Sequence, residues 1–215
     1  MLPQPAEPAS YAGRSVTEDT EFDGEIRRTA LLRKIRHASA LTIEALVLLA
    51  LLALFLVRVP QVDGHSMAPQ IDAGDHVVID TVAYALRIDR PGGGAPLADV
   101  LIRPVARSDV VAFSLGVGDA RRIYLKRVIG LPGESVSIER GVVAIDGRPL
   151  VEPYGPARDA DDMKAAVVPP DSLFVLGDNR GDSDDSRSFG PVPIAAVVGK
   201  AAFVLWPPGR VRAIH

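Results

Sequence analysis

The segment from Ala38 to Val57 reads ASALTIEALVLLALLALFLV, and Ala, Leu, Val, Ile and Phe fill every position but Ser39, Thr42 and Glu44. As a helix rising about 1.5 Å per residue, it would span about 30 Å, the thickness of a bilayer's hydrocarbon core. Glu44 lies toward one end of the run, where a charge costs less than at the centre. No small-x-small cleavage site follows, since the next residues are Arg58, Val59, Pro60 and Gln61, so the run reads as an uncleaved anchor and not as a signal peptide. Arg27, Arg28, Arg33, Lys34 and Arg36 precede it and Arg58 alone lies just beyond, which predicts the N-terminus inside and the C-terminus outside. The expected organisation is a tail at 1–37, disordered over 1–26 and then basic, a transmembrane helix at 38–58 and an outer domain at 59–215.

The outer portion reads as β-rich. Short apolar runs alternate with turn residues: HVVID (76–80), DVVAFSL (109–115), RIYLKRVIG (122–130), SVSIE (135–139), GVVAI (141–145), SLFVLG (172–177) and KAAFVLW (200–206). Asp146-Gly147 between VVAI and RPLV predicts a hairpin. Many short strands without long helical periods predict a mainly β fold, a coiled or partly closed antiparallel sheet behind a single N-terminal transmembrane helix. Gly92–Gly94 and the Pro- and Asp-rich stretch 152–171 read as surface loops. Composition removes whole classes of function. The chain has no cysteine, hence no disulfides, no thiolate metal site and no cysteine nucleophile. A net charge of −3 argues against nucleic acid as a partner.

Three segments carry candidate chemistry. In Gly64-His65-Ser66-Met67-Ala68-Pro69, a serine sits on a backbone constrained by Gly and Pro, where it is either a turn residue or an exposed hydroxyl. His65 is a poor base for it, because adjacent residues in an extended chain point to opposite sides. The other histidines, His37, His76 and His215, are scattered, so a histidine-dependent serine hydrolase is poorly supported. In Tyr124-Leu125-Lys126-Arg127-Val128-Ile129-Gly130-Leu131-Pro132-Gly133, the lysine is either a solvated residue on an open sheet face or a buried amine. Desolvation lowers the pKa of a buried amine and lets it take a proton from a serine. The third segment, Gly177-Asp178-Asn179-Arg180-Gly181-Asp182-Ser183-Asp184-Asp185-Ser186-Arg187, lacks the ligand spacing of a calcium loop and mixes in arginines. A polar loop braced by Asp–Arg pairs fits it better than a metal site.

In this order, after a span, the strings GHSMAPQI, GDHVVI (74–79), YLKRVIGLPGE and GDNRGDSDDSRSFGPV resemble bacterial type I signal peptidase, the Ser-Lys dyad leader peptidase family. The resemblance runs from the span to the C-terminus, and the two long strings together are highly specific. It implies a membrane-bound serine endopeptidase that removes signal peptides from exported preproteins after Ala-x-Ala-like sites. The enzyme would need no metal or organic cofactor and would act as a monomer on the extracytoplasmic face of the bacterial cytoplasmic membrane. Residue by residue, Ser66 matches the nucleophile, Lys126 the general base, and Ser183 the serine whose hydroxyl orients the amine. Asp178, Arg127, Asp185 and Arg187 match supporting charges. Met67 and Pro69 match the turn and wall after the nucleophile, and Val62, Ile71 and Leu125 match pocket-lining aliphatics. The substrate would add as a strand beside the segment before Ser66 and the segment around Tyr124–Lys126. Gly64 stands where some members carry a serine that donates to the oxyanion, so the Ser66 backbone N–H would carry that role with a second, unidentified donor. The family's large inserted second domain would be reduced to loops. Two other readings stay open: a pilin- or conjugation-type processing peptidase with the same dyad, and a catalytically silent membrane-anchored β module. A self-cleaving Ser-Lys repressor fits less well, because a span stands where a DNA-reading domain would be.

Overall fold

A computed structural model describes residues 34, 36–51, 56–88, 98–116, 122–157 and 159–215. The chain divides into two compact units, Met1–Leu52 and Ala53–His215. In the first, residues 36–51 are helical, with Leu41, Ile43, Leu46, Leu48 and Leu49 all exposed. Among the described residues no helix is long and apolar enough to cross a membrane. The tail at 1–26, most of the basic segment and residues 52–55 of the aliphatic run lie outside the described residues.

The second unit is mainly β. Its strands are β1 (Val57–Arg58), β2 (His76–Asp80), β3 (Ala85–Ile88), β4 (Ala98–Leu101), β5 (Val110–Leu115), β6 (Arg122–Gly130) and β7 (Ser135–Glu139). They continue as β8 (Val142–Ile145), β9 (Arg148–Pro149), β10 (Met163–Val167), β11 (Ser172–Leu176), β12 (Val192–Pro193), β13 (Val197–Trp206) and β14 (Arg212–Ala213). The main sheet runs β1-β2-β13-β5-β6-β11-β12, antiparallel throughout, with β14 on β13. Register breaks along β13 at Val197/Gly199, Ala201/Phe203 and Val204/Trp206 add the bends that curl an antiparallel sheet into a half-barrel.

Strand β5 shows why this sheet is central. Its residues Val110 and Ala112 join Met67, Ile71, Val77 and Ile79 in one core, while Val111 and Phe113 join Val128, Leu173 and Val175 in another. A period-2 strand buried on both faces reads as a continuous apolar run, as VVAF does. A third core, with Ile129, Val136, Ile138, Val143, Tyr154, Val168 and Phe174, joins the end of β6 to a second sheet, β10-β7-β8-β9. In the hairpin at Asp146-Gly147, both residues have positive φ (50° and 75°), as a two-residue primed turn requires.

Two expectations need correction. Val57–Arg58 pair with Ile79–Asp80 of β2, and Thr81 donates to the Leu56 carbonyl through both its backbone N–H and its hydroxyl, so the expected helix at 38–58 gives way to a strand before its end. The stretch 152–171 is not simply loop. Its residues Met163–Val167 form β10 against β7, and Glu152, Tyr154 and Val168 are buried. The four-stranded sheet β10-β7-β8-β9 contains the expected strands SVSIE and GVVAI and the expected hairpin, and adds β10 to them. The β3–β4 hairpin was not anticipated, and the Gly92–Gly94 segment inside it lies outside the described residues.

Candidate active site

Ser66 sits in a turn that two neighbours hold from below and one loop holds from the side. Met67 and Ile71 anchor it in the first core, and the Ile71 N–H donates to the Met67 carbonyl at 2.9 Å. From the 177–180 loop, the Asn179 N–H donates to the Ser66 carbonyl at 3.0 Å, and Asn179 Nδ2 donates to the His65 carbonyl at 3.2 Å. The approach is close enough to exclude a side chain at residue 177: a Cβ there would stand 2.4 Å from the Ser66 carbonyl oxygen and 2.2 Å from Ser183 Oγ. Gly64 has φ +98°, so the residue two before Ser66 adopts a backbone that a serine would enter only under strain.

Strand β6 brings Lys126 to this turn. Its Nζ donates to Ser66 Oγ at 2.6 Å, across sixty residues of chain, and the residue is 3% exposed. Among the described residues no carboxylate lies within ion-pair distance of the amine. Burial therefore lowers its pKa, and the charges of Asp185, Asp184 and Asp178, acting from farther away, push it back only in part. Arg127, the next residue, faces the other way and is fully buried with a complete set of partners. Its Nε and Nη2 fork onto the Asp178 carboxylate at 2.8 and 2.7 Å, and its Nη1 donates to the carbonyls of Ser108 (2.8 Å) and His215 (2.6 Å). The 183–187 stretch is braced by Asp185. Its Oδ2 accepts from the Gly177 N–H, its side chain caps the one-turn helix Ser186–Phe189, and Arg187 forks onto it while also reaching Asp159 and Asp161. These Asp contacts hold the Arg187 guanidinium firmly protonated.

Residues 35–206 match the signal peptidase, peptidase S26 family. The chain belongs to that family. A probable signal peptidase I-1 from Synechocystis is 33% identical, over 82% of this chain and 85% of its own length. A signal peptidase I from Bacillus caldolyticus is 31% identical, over 76% of this chain and 87% of its own. A crystal structure of a signal peptidase I from Enterococcus faecalis matches with a TM-score of 0.41 and 34% identity, covering 46% of this chain and 97% of that one. Membership makes the chain a hydrolase, a serine endopeptidase.

Against that signal peptidase background, the residues singled out in sequence divide cleanly. Ser66 and Lys126 meet, as do Arg127 with Asp178 and Asp185 with Arg187. Val62 and Leu125 pack half-buried against the first core, and half-buried Tyr124 stacks on Phe113 with centroids 5.7 Å apart. Met67 and Ile71, expected to touch substrate, are 2% and 0% exposed. They support the nucleophile turn from inside the first core. Ser183 was expected to hydrogen-bond the lysine. It stands beside Gly177 and Ser66, but its buried Oγ contacts no hydrogen-bond partner. His65 is exposed and pairs with Asp72 at 2.5 Å. This pairing holds the Asp72 carboxyl below its usual range. Among the described residues no group of three or more His, Asp or Glu is placed to hold a metal ion. Sequence reading missed Asn179 as the clamp on the turn, although it lies inside a quoted string. It also missed Glu152 and Tyr154, which lie in a stretch whose Pro and Asp content hides them.

Proposed function

We propose that this signal peptidase removes N-terminal signal peptides from exported preproteins through a Ser66–Lys126 dyad. The observation that carries the reading is a buried amine, stripped of any carboxylate partner, in contact with a serine hydroxyl. Desolvation favours the neutral form of a lysine placed in this way, and the neutral lone pair can take the Ser66 proton. Ser66 Oγ then attacks the scissile carbonyl, and the oxyanion meets the Ser66 backbone N–H. The lysinium returns the proton to the leaving amine, which departs as the mature N-terminus and leaves an acyl-enzyme. Neutral again, Lys126 takes a proton from water, and the resulting attack releases the signal peptide and restores Ser66.

Substrate selection follows from shallow aliphatic surfaces. Val62, Leu125 and Tyr124 flank the dyad half-buried, which suits small side chains at the first and third positions before the cut. Such pockets favour Ala-x-Ala-like sites. The chain acts as a single-pass protein of the bacterial cytoplasmic membrane, N-terminus inside and catalytic domain outside. The aliphatic run at 38–57 and the basic residues before it support this topology. Exposed Val57, Val59, Phe203, Leu205 and Trp206, on strands β1 and β13 that flank β2 and on the residues after β1, add apolar surface suited to a lipid surface.

The test is cleavage of a preprotein panel by the full-length chain in detergent. Ser66→Ala and Lys126→Ala should stay folded and leave Ala-x-Ala substrates intact. Substantial cleavage by either variant sinks the dyad reading, and a preference for pilin-type leaders would move the substrate class.

A further inference from the structure

Residues 152–157 lie outside the three motifs, yet they touch all three. From the nucleophile turn, Gln70 Nε2 donates to the Tyr154 carbonyl at 2.9 Å. From the lysine strand, the Arg127 guanidinium lies flat over the Tyr154 ring, 3.8 Å from its centroid. From the 177–187 loop, Arg180 is buried in an ion pair with Glu152, and Glu152 in turn accepts the Tyr154 hydroxyl. Backbone bonds close the same contact: the Ala157 N–H donates to the Asp178 carbonyl at 2.8 Å, and the Arg180 N–H donates to the Ala157 carbonyl at 2.9 Å. Tyr154 is 8% exposed and belongs to the core between the two sheets.

These contacts differ in kind from ordinary packing. A guanidinium fully withdrawn from water needs a partner on its face as well as along its edge, and an aromatic ring supplies one. Asp178 takes the edge of Arg127 and Tyr154 covers the face. Burial keeps the Tyr154 hydroxyl protonated, so it remains a donor to Glu152. The ring thus lies between two buried ion pairs, Arg127–Asp178 and Arg180–Glu152. Arg180 Nε also donates to the carbonyl of Gly177, the residue pressed against Ser66.

We infer that Tyr154 is a positioning residue of the peptidase, setting the lysine strand and the 177–180 loop in register with the nucleophile turn. A displacement of the amine from the serine by a fraction of an ångström is costly to proton transfer, and loss of the ring would also admit water behind Arg127. The inference rests on the Ser66–Lys126 reading.

The full-length enzyme is assayed for kcat, KM and the pH dependence of kcat/KM. Tyr154→Leu is expected to lower kcat about tenfold with KM within about twofold, and to move the acidic limb to higher pH as the amine regains water. Tyr154→Phe keeps the ring over Arg127 and is expected to restore both kcat, within about threefold, and the position of the limb. A wild-type kcat in Tyr154→Leu overturns the inference. So does a lower kcat with the limb unmoved, which marks a structural loss alone. Should Tyr154→Leu fail to fold, Gln70→Ala releases only the nucleophile turn, and an unchanged kcat in that variant overturns the inference equally. Lys126→Ala runs alongside: cleavage by that variant removes the dyad reading itself, and its silence lets the Tyr154 arms be read on their own.

Discussion

Lys126 and Arg127 are neighbours on β6 and are both withdrawn from water, but the two faces of that strand treat a cation in opposite ways. On one face the Lys126 amine meets a hydroxyl and no carboxylate at ion-pair distance, and burial lowers its pKa. On the other, Arg127 meets a bidentate carboxylate, two carbonyls and an aromatic face. Guanidinium cannot be deprotonated at any working pH, so its burial must be matched by partners. An amine can shed its proton, and a site that withholds partners makes it do so. The two faces therefore separate reactivity from rigidity within one pair of residues.

The comparison can be broken most severely at its reactive face. Ser66→Ala or Lys126→Ala should reduce preprotein cleavage by at least about a thousandfold while the circular dichroism spectrum is kept. Lys126→Arg should be equally silent, since it fills the site with a cation that holds its proton. On the structural face, Arg127→Met strands the buried Asp178 carboxylate. It should cost about 3–5 kcal/mol of unfolding free energy in a denaturant titration. A variant as stable as wild type would show that the pair is not the fixed frame described above. Between the faces, Gly177→Ala drives a methyl group into the Ser66 carbonyl and Ser183 Oγ, and should lower kcat about a hundredfold with a smaller effect on KM.

The smallest effect concerns stability and its sign. Because the folded pKa of Lys126 lies below its unfolded value, the unfolded chain binds more protons at neutral pH, and burial of this residue opposes folding there. Lys126→Met should raise Tm by about 2–4 °C at pH 7, and the gain should shrink as pH rises toward about 10, where the unfolded lysine also loses its charge. The same shift sets activity: kcat/KM should fall as pH drops through a pKa below the ordinary lysine value. An acidic limb near about 10.4 would contradict a desolvated base.

Much of the main sheet was visible in sequence because its central strands obey simple periods. HVVID, RIYLKRVIG and SVSIE were delimited to the residue, and Asp146-Gly147 marked its hairpin, since turn chemistry and strand alternation are local. Strand β10 was not, because MKAAV lies amid Pro and Asp, exposes all but Met163, and becomes a strand only by pairing with β7. The end of the aliphatic run was misjudged for a related reason. Val57 and Arg58 suit a helix or a strand, and the partner that decides, β2, lies about twenty residues away. Met67 and Ile71 show a third limit: their type fits a substrate pocket or a core equally, and their packing in the first core is visible only in the fold.

By itself, the sequence determined the chemistry available to this protein. It has no cysteine, its histidines are scattered, and Ser66 and Lys126 stand in strings that resemble those of signal peptidases. Residue type and local pattern are properties of the chain and need no fold to be read. Tertiary structure decided what each residue became. It withheld a counter-ion from Lys126 while granting Arg127 a carboxylate, two carbonyls and an aromatic face, and it drew residues 152–157 out of an apparent loop into contact with all three motifs. Desolvation and partner geometry depend on residues far apart in the chain, 60 for Lys126–Ser66 and 51 for Arg127–Asp178, and no local pattern encodes which side of β6 will be left without a carboxylate.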